Sequence, residues 1–162
     1  MRTGNHIHRK IISAEEITKQ ACRWRLLSKK IAFTNGVFDI LHKGHISSLA
    51  DAASYADFLI VGLNSDSSVK RLKGPERPIN NEQERAYLLA SLSMVDAVVI
   101  FDEDTPHNLI CSILPDFLIK GGDYTVGQIA GAKEVIAQGG QVIISPIVDG
   151  YSTTSIINEI KK

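Results

Sequence analysis

Sulfur is scarce in this sequence. Cys22 and Cys111 are its two cysteines among 162 residues. Two distant thiols do not make a disulfide framework, and the missing C-x-x-C spacing argues against zinc. Aromatic residues amount to 6%, and no aromatic-basic platform for nucleic acid is visible. Excess charge is missing too: 18 Lys+Arg face 18 Asp+Glu, which speaks against a general nucleic-acid or anionic-membrane binder. Apolar stretches such as Phe58 to Leu63 fall far short of the ~20 residues of a membrane helix. The polar start, Met1 to His6, leads into no apolar run, so no secretory signal is expected and a cytoplasmic setting fits. G-x-G-x-x-G and G-x-x-x-x-G-K-[ST] are both absent, which excludes the common dinucleotide and P-loop solutions.

What remains is an ordinary globular composition, 44% hydrophobic and 22% charged, at a length that suits one domain. Residues 1–30 read as a basic helical extension. Ser13-Ala14-Glu15-Glu16 has the form of a capping box, and Ala14, Ile17, Ala21, Trp24 and Leu27 recur at helical spacing, predicting a helix over about 14–28. From residue 31 to 162 strands and helices alternate. Strands are expected at 31–34, 58–63, 97–101, 117–119 and 142–144. Helices are expected at 44–55, 81–92, 106–114, 129–138 and 152–160, with Thr105 and Pro106 as N-cap and first residue of the third. Strands that are apolar without alternation are buried on both faces, which means a parallel sheet covered by helices. The expected fold is therefore a single α/β domain, Rossmann-like, with a doubly wound five-stranded parallel sheet. Its ligands should bind outside the carboxyl ends of the strands.

The segment Thr34-Asn35-Gly36-Val37-Phe38-Asp39-Ile40-Leu41-His42-Lys43-Gly44-His45 lies where the first strand turns into a helix. Two histidines at i, i+3 share one side of a first helical turn. That end of a helix offers free N–H groups and a positive dipole, and Gly44 lets an anion approach the backbone. Two further stretches sit at carboxyl ends of strands or at helix starts: Lys120-Gly121-Gly122-Asp123 and Ser152-Thr153-Thr154-Ser155. Lys70, Arg71, Lys73 and Arg77, with Gly74, Pro75 and Pro78, read as a mobile basic loop able to close on phosphates.

His42-Lys43-Gly44-His45 resembles the signature of the H-x-G-H nucleotidyltransferases, the cytidylyltransferase-like superfamily. Thr34 to Asp39, Asn64 to Asp66, Lys70 to Gly74, Arg77-Pro78, Lys120 to Tyr124 and Gly150 to Thr154 extend the likeness over almost the whole chain. They are most similar to the adenylyltransferase domain of bifunctional heptose-7-phosphate kinase/heptose-1-phosphate adenylyltransferases, here expected as a free-standing protein. The resemblance implies transfer of AMP from ATP to a sugar 1-phosphate, with Mg²⁺ accompanying ATP and a homodimer as the assembly. It implies His42, His45 and Lys73 as catalytic residues. It implies Thr34, Asn35, Gly36, Phe38, Asp39, Gly44, Lys120, Gly122, Asp123, Ser152, Thr153 and Thr154 as nucleotide- and substrate-binding residues, and no protein ligands to a metal. Asp39 either binds substrate or orients the histidine turn, and Arg85 is left outside the site. The alternative enzyme is a cytidylyltransferase for glycerol 3-phosphate or a related phosphate. The arginine that such enzymes place before their Gly-x-Ser-Thr-Thr run is missing here, where Ile147-Val148-Asp149-Gly150-Tyr151 stands. A non-catalytic nucleotide-binding module is the rival of another class, since a fold does not dictate a function.

Overall fold

A computed structural model describes residues 5–122, 124–146 and 152–160, without the side chains of residues 155 and 158. The chain runs α1 (Asn5–His8), α2 (Ala14–Leu26), β1 (Ile31–Gly36), α3 (Lys43–Ala53), β2 (Phe58–Asn64), α4 (Asp66–Lys73), α5 (Glu82–Ser91), β3 (Ala97–Phe101), α6 (His107–Ile113), β4 (Phe117–Gly121), a 3₁₀ turn (Val126–Gln128), α7 (Ala132–Ala137), β5 (Gln141–Ser145) and α8 (Thr153–Ile160). The five strands form one parallel sheet in the order β3-β2-β1-β4-β5. The chain therefore winds outward in one direction through β2 and β3, then returns to the other side of β1. The switch point lies between β1 and β4, where an α/β sheet opens a crevice at its carboxyl edge.

Both faces of the sheet are covered, as unbroken apolar strands require. Ile31, Phe33, Ile60, Val99 and Leu118 point to one side, against Ile17 and Ala21 of α2, Leu109, Ile110 and Ile113 of α6, and Ala132 and Val135 of α7. Ala32, Leu59, Val61, Leu63, Val98 and Ile119 point to the other, against Leu49 and Ala52 of α3 and Ala86 and Leu89 of α5. The amino ends of the strands are fastened by carboxylates. Asp57 accepts from the Lys30 N–H at 2.9 Å, Asp116 from the Ile31 N–H at 2.9 Å and Asp96 from the Leu59 N–H at 2.8 Å. One edge of the sheet is thus committed to structure, and the other is left for chemistry.

Local signals explain most element starts. Ser13 and Glu16 form the reciprocal capping box of α2, and Asn81 accepts from the Glu84 N–H at 3.0 Å to start α5. Trp24 stacks on Phe58 with ring centroids 4.1 Å apart, which fastens the basic N-terminal helix to the domain, whereas Leu27 stays 70% exposed just past the helix end.

Four expectations need correction. Residues 66–73 form a helix, α4, so Lys70, Arg71 and Lys73 are helical and only the stretch after Lys73 is a loop. Pro106 occupies the N-cap of α6 and makes no side-chain cap bond, so the helix begins at His107. The helix expected over 129–138 starts only at Ala132, because Gly131 before it has φ +77° and an added Cβ would lie 2.5 Å from Ile110 Cγ2 of α6. A short α1 and a parallel bridge between Ile11 and Val98 extend the edge beyond β3, where no element was expected.

Candidate functional site

The β1–α3 connection supplies the histidines. Gly36 ends β1, and a Cβ there would sit 3.0 Å from the Phe38 ring, so the missing side chain lets that ring fold back over the strand end. Phe38 itself is a non-glycine residue at φ +47°, buried in the core beneath the site, and it meets the edge of the His45 ring at 5.2 Å between centroids. Phe38 supports the histidine turn from below.

His42 is the N-cap of α3 and its Nδ1 accepts from the His45 N–H at 3.4 Å. That bond leaves the proton of a neutral His42 ring on Nε2. The two imidazoles stack, with centroids 3.7 Å apart and an angle of 21° between planes. Gly44 lies between them in the first turn of α3. Burial lowers the His42 pKa. His45 is pushed down to about 4, first by burial and then by the neighbouring His42, with the Ile40 carbonyl pulling the other way. Both rings are neutral at pH 7. The Nδ1 of His45 is buried without a hydrogen-bond partner among the described residues.

The N-terminus of α8 comes to the same place. Thr153 Oγ1 donates to the Ile40 carbonyl at 3.5 Å, two residues before His42. Ser152 and Thr154 flank it at the helix start, so a hydroxyl run and a helix dipole adjoin the histidine turn. Ser48 of α3 packs against Gly121, an added Cβ of which would lie 3.5 Å from its Oγ. The Gly122 N–H donates to the Ser145 carbonyl at 3.2 Å, binding the turn after β4 to the end of β5. Asp123 and the residues 147–151 lie outside the described residues.

On the other side of the β1 end, a cavity of about 380 Å³ opens at the switch point. Asn35 and Gly36 form part of its wall, with Lys73 from the end of α4 and Lys120 from β4. Lys120 Nζ donates to Asn35 Oδ1 at 3.3 Å and stands 5.5 Å from the centre of the Tyr124 ring. Its burial lowers its pKa. Thr34 is buried within β1 behind this wall. The candidate residues therefore divide into two neighbouring groups. His42 and His45 do not line the cavity. They adjoin the N-terminus of α8 instead, where Thr153 meets the Ile40 carbonyl.

The four cations expected in one basic loop also divide. Arg71 pairs with Asp104 at 2.8 Å and Arg77 with Asp39 at 2.7 Å, while Lys73 lines the cavity. Asp39 has its carboxylate fully buried. It accepts from Arg77 Nε at 2.7 Å, from the Ile79 N–H at 2.9 Å and from the Asn80 N–H at 2.9 Å. Burial alone would raise its pKa, but these donors together hold it below the usual value. With both oxygens engaged, Asp39 ties the β1–α3 connection to residues 77–80.

Sequence reasoning left out the residue that organises this edge. Arg85 is fully buried on α5, and its guanidinium donates to the carbonyls of Val37, Asn64 and Asn80 and to Asp66. The one available signal was its company on α5, where Ala86, Leu89 and Ala90 are the other buried residues. Asn64, Thr105, Pro106, Tyr124 and Gln128 also line the cavity and were not expected among the site residues.

Comparison with known proteins agrees with this fold. The family model described as Cytidylyltransferase-like matches residues 33–159. The "Bifunctional protein HldE" of Hyphomonas neptunium is 56% identical over 147 residues, covering 91% of this chain and 30% of that protein. The protein of the same name from Klebsiella pneumoniae is 52% identical over 152 residues, covering 94% of this chain and 32% of that one. The chain thus spans about a third of the length of these curated relatives. Among solved structures, a lipopolysaccharide core biosynthesis protein from Thermoplasma volcanium superposes with a TM-score of 0.60 at 29% identity, covering 76% of this chain and 99% of that one. A pantoate-beta-alanine ligase from Francisella tularensis shares the fold with a TM-score of 0.61 at 17% identity, over 93% of this chain and 76% of that one.

Proposed function

The chain belongs to the cytidylyltransferase-like family of nucleotidyltransferases, and from that premise we propose that it transfers AMP from ATP to D-glycero-D-manno-heptose 1-phosphate, giving ADP-heptose and pyrophosphate for cell-surface glycan synthesis. The observation that carries this reading is the stacked His42–His45 pair at the start of α3, next to a cavity lined by Lys73 and Lys120. The identity to the HldE proteins, and the naming of the Thermoplasma protein for lipopolysaccharide core biosynthesis, support a sugar phosphate as acceptor.

The chemistry asks little of the protein in acid–base terms. A phosphate monoester has a second pKa near ~6, so the acceptor reaches the site as a dianion and needs no general base. Its oxygen attacks the α-phosphorus, a new P–O bond forms, and the bond to the pyrophosphate oxygen breaks. The histidine turn and the α8 N-terminus hold the nucleotide's phosphates. Neutral imidazole N–H groups there donate to oxygens that gain charge, and they are positioned before the reaction begins. Lys73 and Lys120 hold the acceptor phosphate across the end of β1, so the two polyanions meet in line.

Magnesium fits this site as a companion of ATP. The cavity wall contributes one carboxylate among the described residues, Asp104, and it is already paired with Arg71 at 2.8 Å. Such a donor set provides no cage of its own and suits an ion held mainly by phosphate oxygens and water. When bound, the ion draws charge from those oxygens.

The test is pyrophosphate release by the purified chain with Mg²⁺, crossing ATP, CTP, GTP and UTP with both heptose 1-phosphate anomers, glycerol 3-phosphate and ethanolamine phosphate. Release with ATP and one heptose anomer is expected. Release confined to CTP and a polyol phosphate would keep nucleotidyl transfer and overturn both base and acceptor. Release with no pair, from folded protein that binds nucleotide, would favour a non-catalytic module.

The histidine pair also makes a pH prediction. In the free protein the His45 ring should titrate near 4 by NMR, well below the ordinary value of 6.5. Adding ATP should raise that midpoint, because phosphate anions beside the ring favour its protonated form. A midpoint at 6.5 in the free protein, or one that ATP leaves in place, would remove the anion-binding role.

A further inference from the structure

A second cluster of reactive side chains lies outside the site described above. Among the described residues, His107, Cys111 and Glu134 offer ligand atoms that all lie within 4.8 Å of one another. His107 Nε2 is 3.2 Å from a Glu134 carboxylate oxygen, and Cys111 Sγ is 3.7 Å from His107 Nε2. A tetrahedral zinc ion has Zn–N and Zn–O bonds of about 2.0–2.1 Å and a Zn–S bond of about 2.3 Å. Around such an ion, ligand atoms stand about 3.3 Å apart for nitrogen and oxygen and about 3.6 Å for nitrogen and sulfur, from the same bond lengths. The His107–Glu134 separation matches such an edge, whereas Cys111 Sγ stands about equally far from both ring nitrogens, 3.7 Å from Nε2 and 3.8 Å from Nδ1, so the imidazole must turn for one ion to meet all three ligands.

The frame that brings the three together is rigid. His107 and Cys111 are one turn apart on α6, so they share a face. Glu134 comes from the first turn of α7. The two helices meet at Ile110 and Gly131, so closely that a Cβ on Gly131 would lie 2.5 Å from Ile110 Cγ2. Ile110, Ile113, Ala132 and Val135 are all buried in the same core. The packed helices therefore fix the backbone positions of the three ligands, and rotation of the half-exposed His107 side chain completes the set. The half-exposed His107 leaves an approach for the ion and for a water as fourth ligand.

We infer that His107, Cys111 and Glu134 form a site for a single Zn²⁺-like divalent cation that ties α6 to α7. A thiolate, an imidazole and a carboxylate in one tetrahedral set suit zinc, whereas magnesium prefers oxygen ligands in octahedral geometry. The missing C-x-x-C spacing excludes only thiolate pairs close in sequence, and this set is assembled from two helices. The site borders the switch-point cavity, since Pro106 directly precedes His107 and Ile129 and Ala130 directly precede Gly131, and all three line that cavity. A bound ion would hold these two walls in fixed relation. The inference rests on geometry alone and stands whether or not the chain uses ATP and a heptose phosphate.

The experiment titrates the metal-free full chain with Co²⁺ and with Zn²⁺. One equivalent of Co²⁺ should give a thiolate-to-cobalt charge-transfer band and the intense visible bands of tetrahedral cobalt, and Zn²⁺ should abolish both. Cys111→Ser should lose the charge-transfer band, and Cys111→Ser and His107→Ala should each weaken Zn²⁺ binding by at least about 100-fold, the upper end of what outer-shell changes cost. Cys22→Ser should bind as the natural protein does. Zn²⁺ at about 100 times its Kd should raise Tm by roughly 5–10 °C in the natural protein and not in Cys111→Ser. Each variant removes a partly exposed side chain, and its fold is checked by circular dichroism. A cobalt complex without a thiolate band, or equal Zn²⁺ affinity in Cys111→Ser, would overturn the site.

Discussion

Replacing His45 with alanine is expected to lower kcat by about 10²–10³-fold, the usual cost of one donor to developing charge, with little change in acceptor KM. The reason lies in where the ring stands. His45 projects from the first turn of α3, packed against His42 and Phe38. With its pKa near 4 the free ring carries no charge at pH 7. Such a group attracts a ground-state polyanion weakly. It contributes most once charge has grown on oxygens within reach of its N–H, so loss should fall on kcat rather than on KM. His42→Ala serves as the contrast. It removes a donor and also the cap on the His45 N–H, so it should add about 1 kcal/mol of lost stability to the kinetic defect. His45→Gln, which keeps a donor near the same place, should recover part of the rate. A kcat for His45→Ala within about threefold of the natural protein would show that the histidine turn does not serve the reaction, since even one lost donor costs far more.

The sheet could be read from the chain because burial on both faces writes itself into consecutive residues. Phe58 to Leu63 and Ala97 to Phe101 need no periodicity analysis to be recognised as strands, and both appear where expected. The histidine motif was legible for the same reason, since its parts are local. Features made by contacts distant in sequence were not legible. Helix α4 buries only Ser68 and Val69, so its sequence carries no apolar stripe, and its charges suggested a loop. The start of α7 is set by the approach of Gly131 to Ile110, a contact across 21 positions that no spacing rule contains. The division of the candidate residues into a histidine turn and a lysine-lined cavity is likewise tertiary. Lys73 and Lys120 line one cavity only because β4 lies beside β1 in the winding order.

Arg85→Met should destabilise the domain more than any change in the histidine turn, by about 3–5 kcal/mol, which for a chain of this length lowers Tm by roughly 6–20 °C. On sequence alone Arg85 is an ordinary helical cation in Glu82-Gln83-Glu84-Arg85. In the structure it has no exposed surface and is the largest of the fully buried side chains. Nη1 donates to the Val37 carbonyl at 2.7 Å and the Asn64 carbonyl at 2.9 Å, Nε donates to the Asn80 carbonyl at 2.9 Å, and Nη2 meets Asp66 at 2.7 Å. Those partners are the residue after β1, the last residue of β2, the loop that grips Asp39 and the first turn of α4. One guanidinium thus joins the carboxyl ends of two strands to the segment that holds the histidine turn. A methionine of similar length fills the space but leaves three carbonyls without their donor and Asp66 without its charge partner, and each such group costs free energy. Lysine carries the charge without the planar fork, so Arg85→Lys should fall between the two. Because Val37 leads directly into the Phe38–His45 turn, the same variant should also lose activity at temperatures where it is still folded. An Arg85→Met protein melting within about 2 °C of the natural one would mean that water replaces the guanidinium at these carbonyls, since a 1 kcal/mol loss alone moves Tm that far, and that the edge of the sheet is organised by the Asp39 network alone.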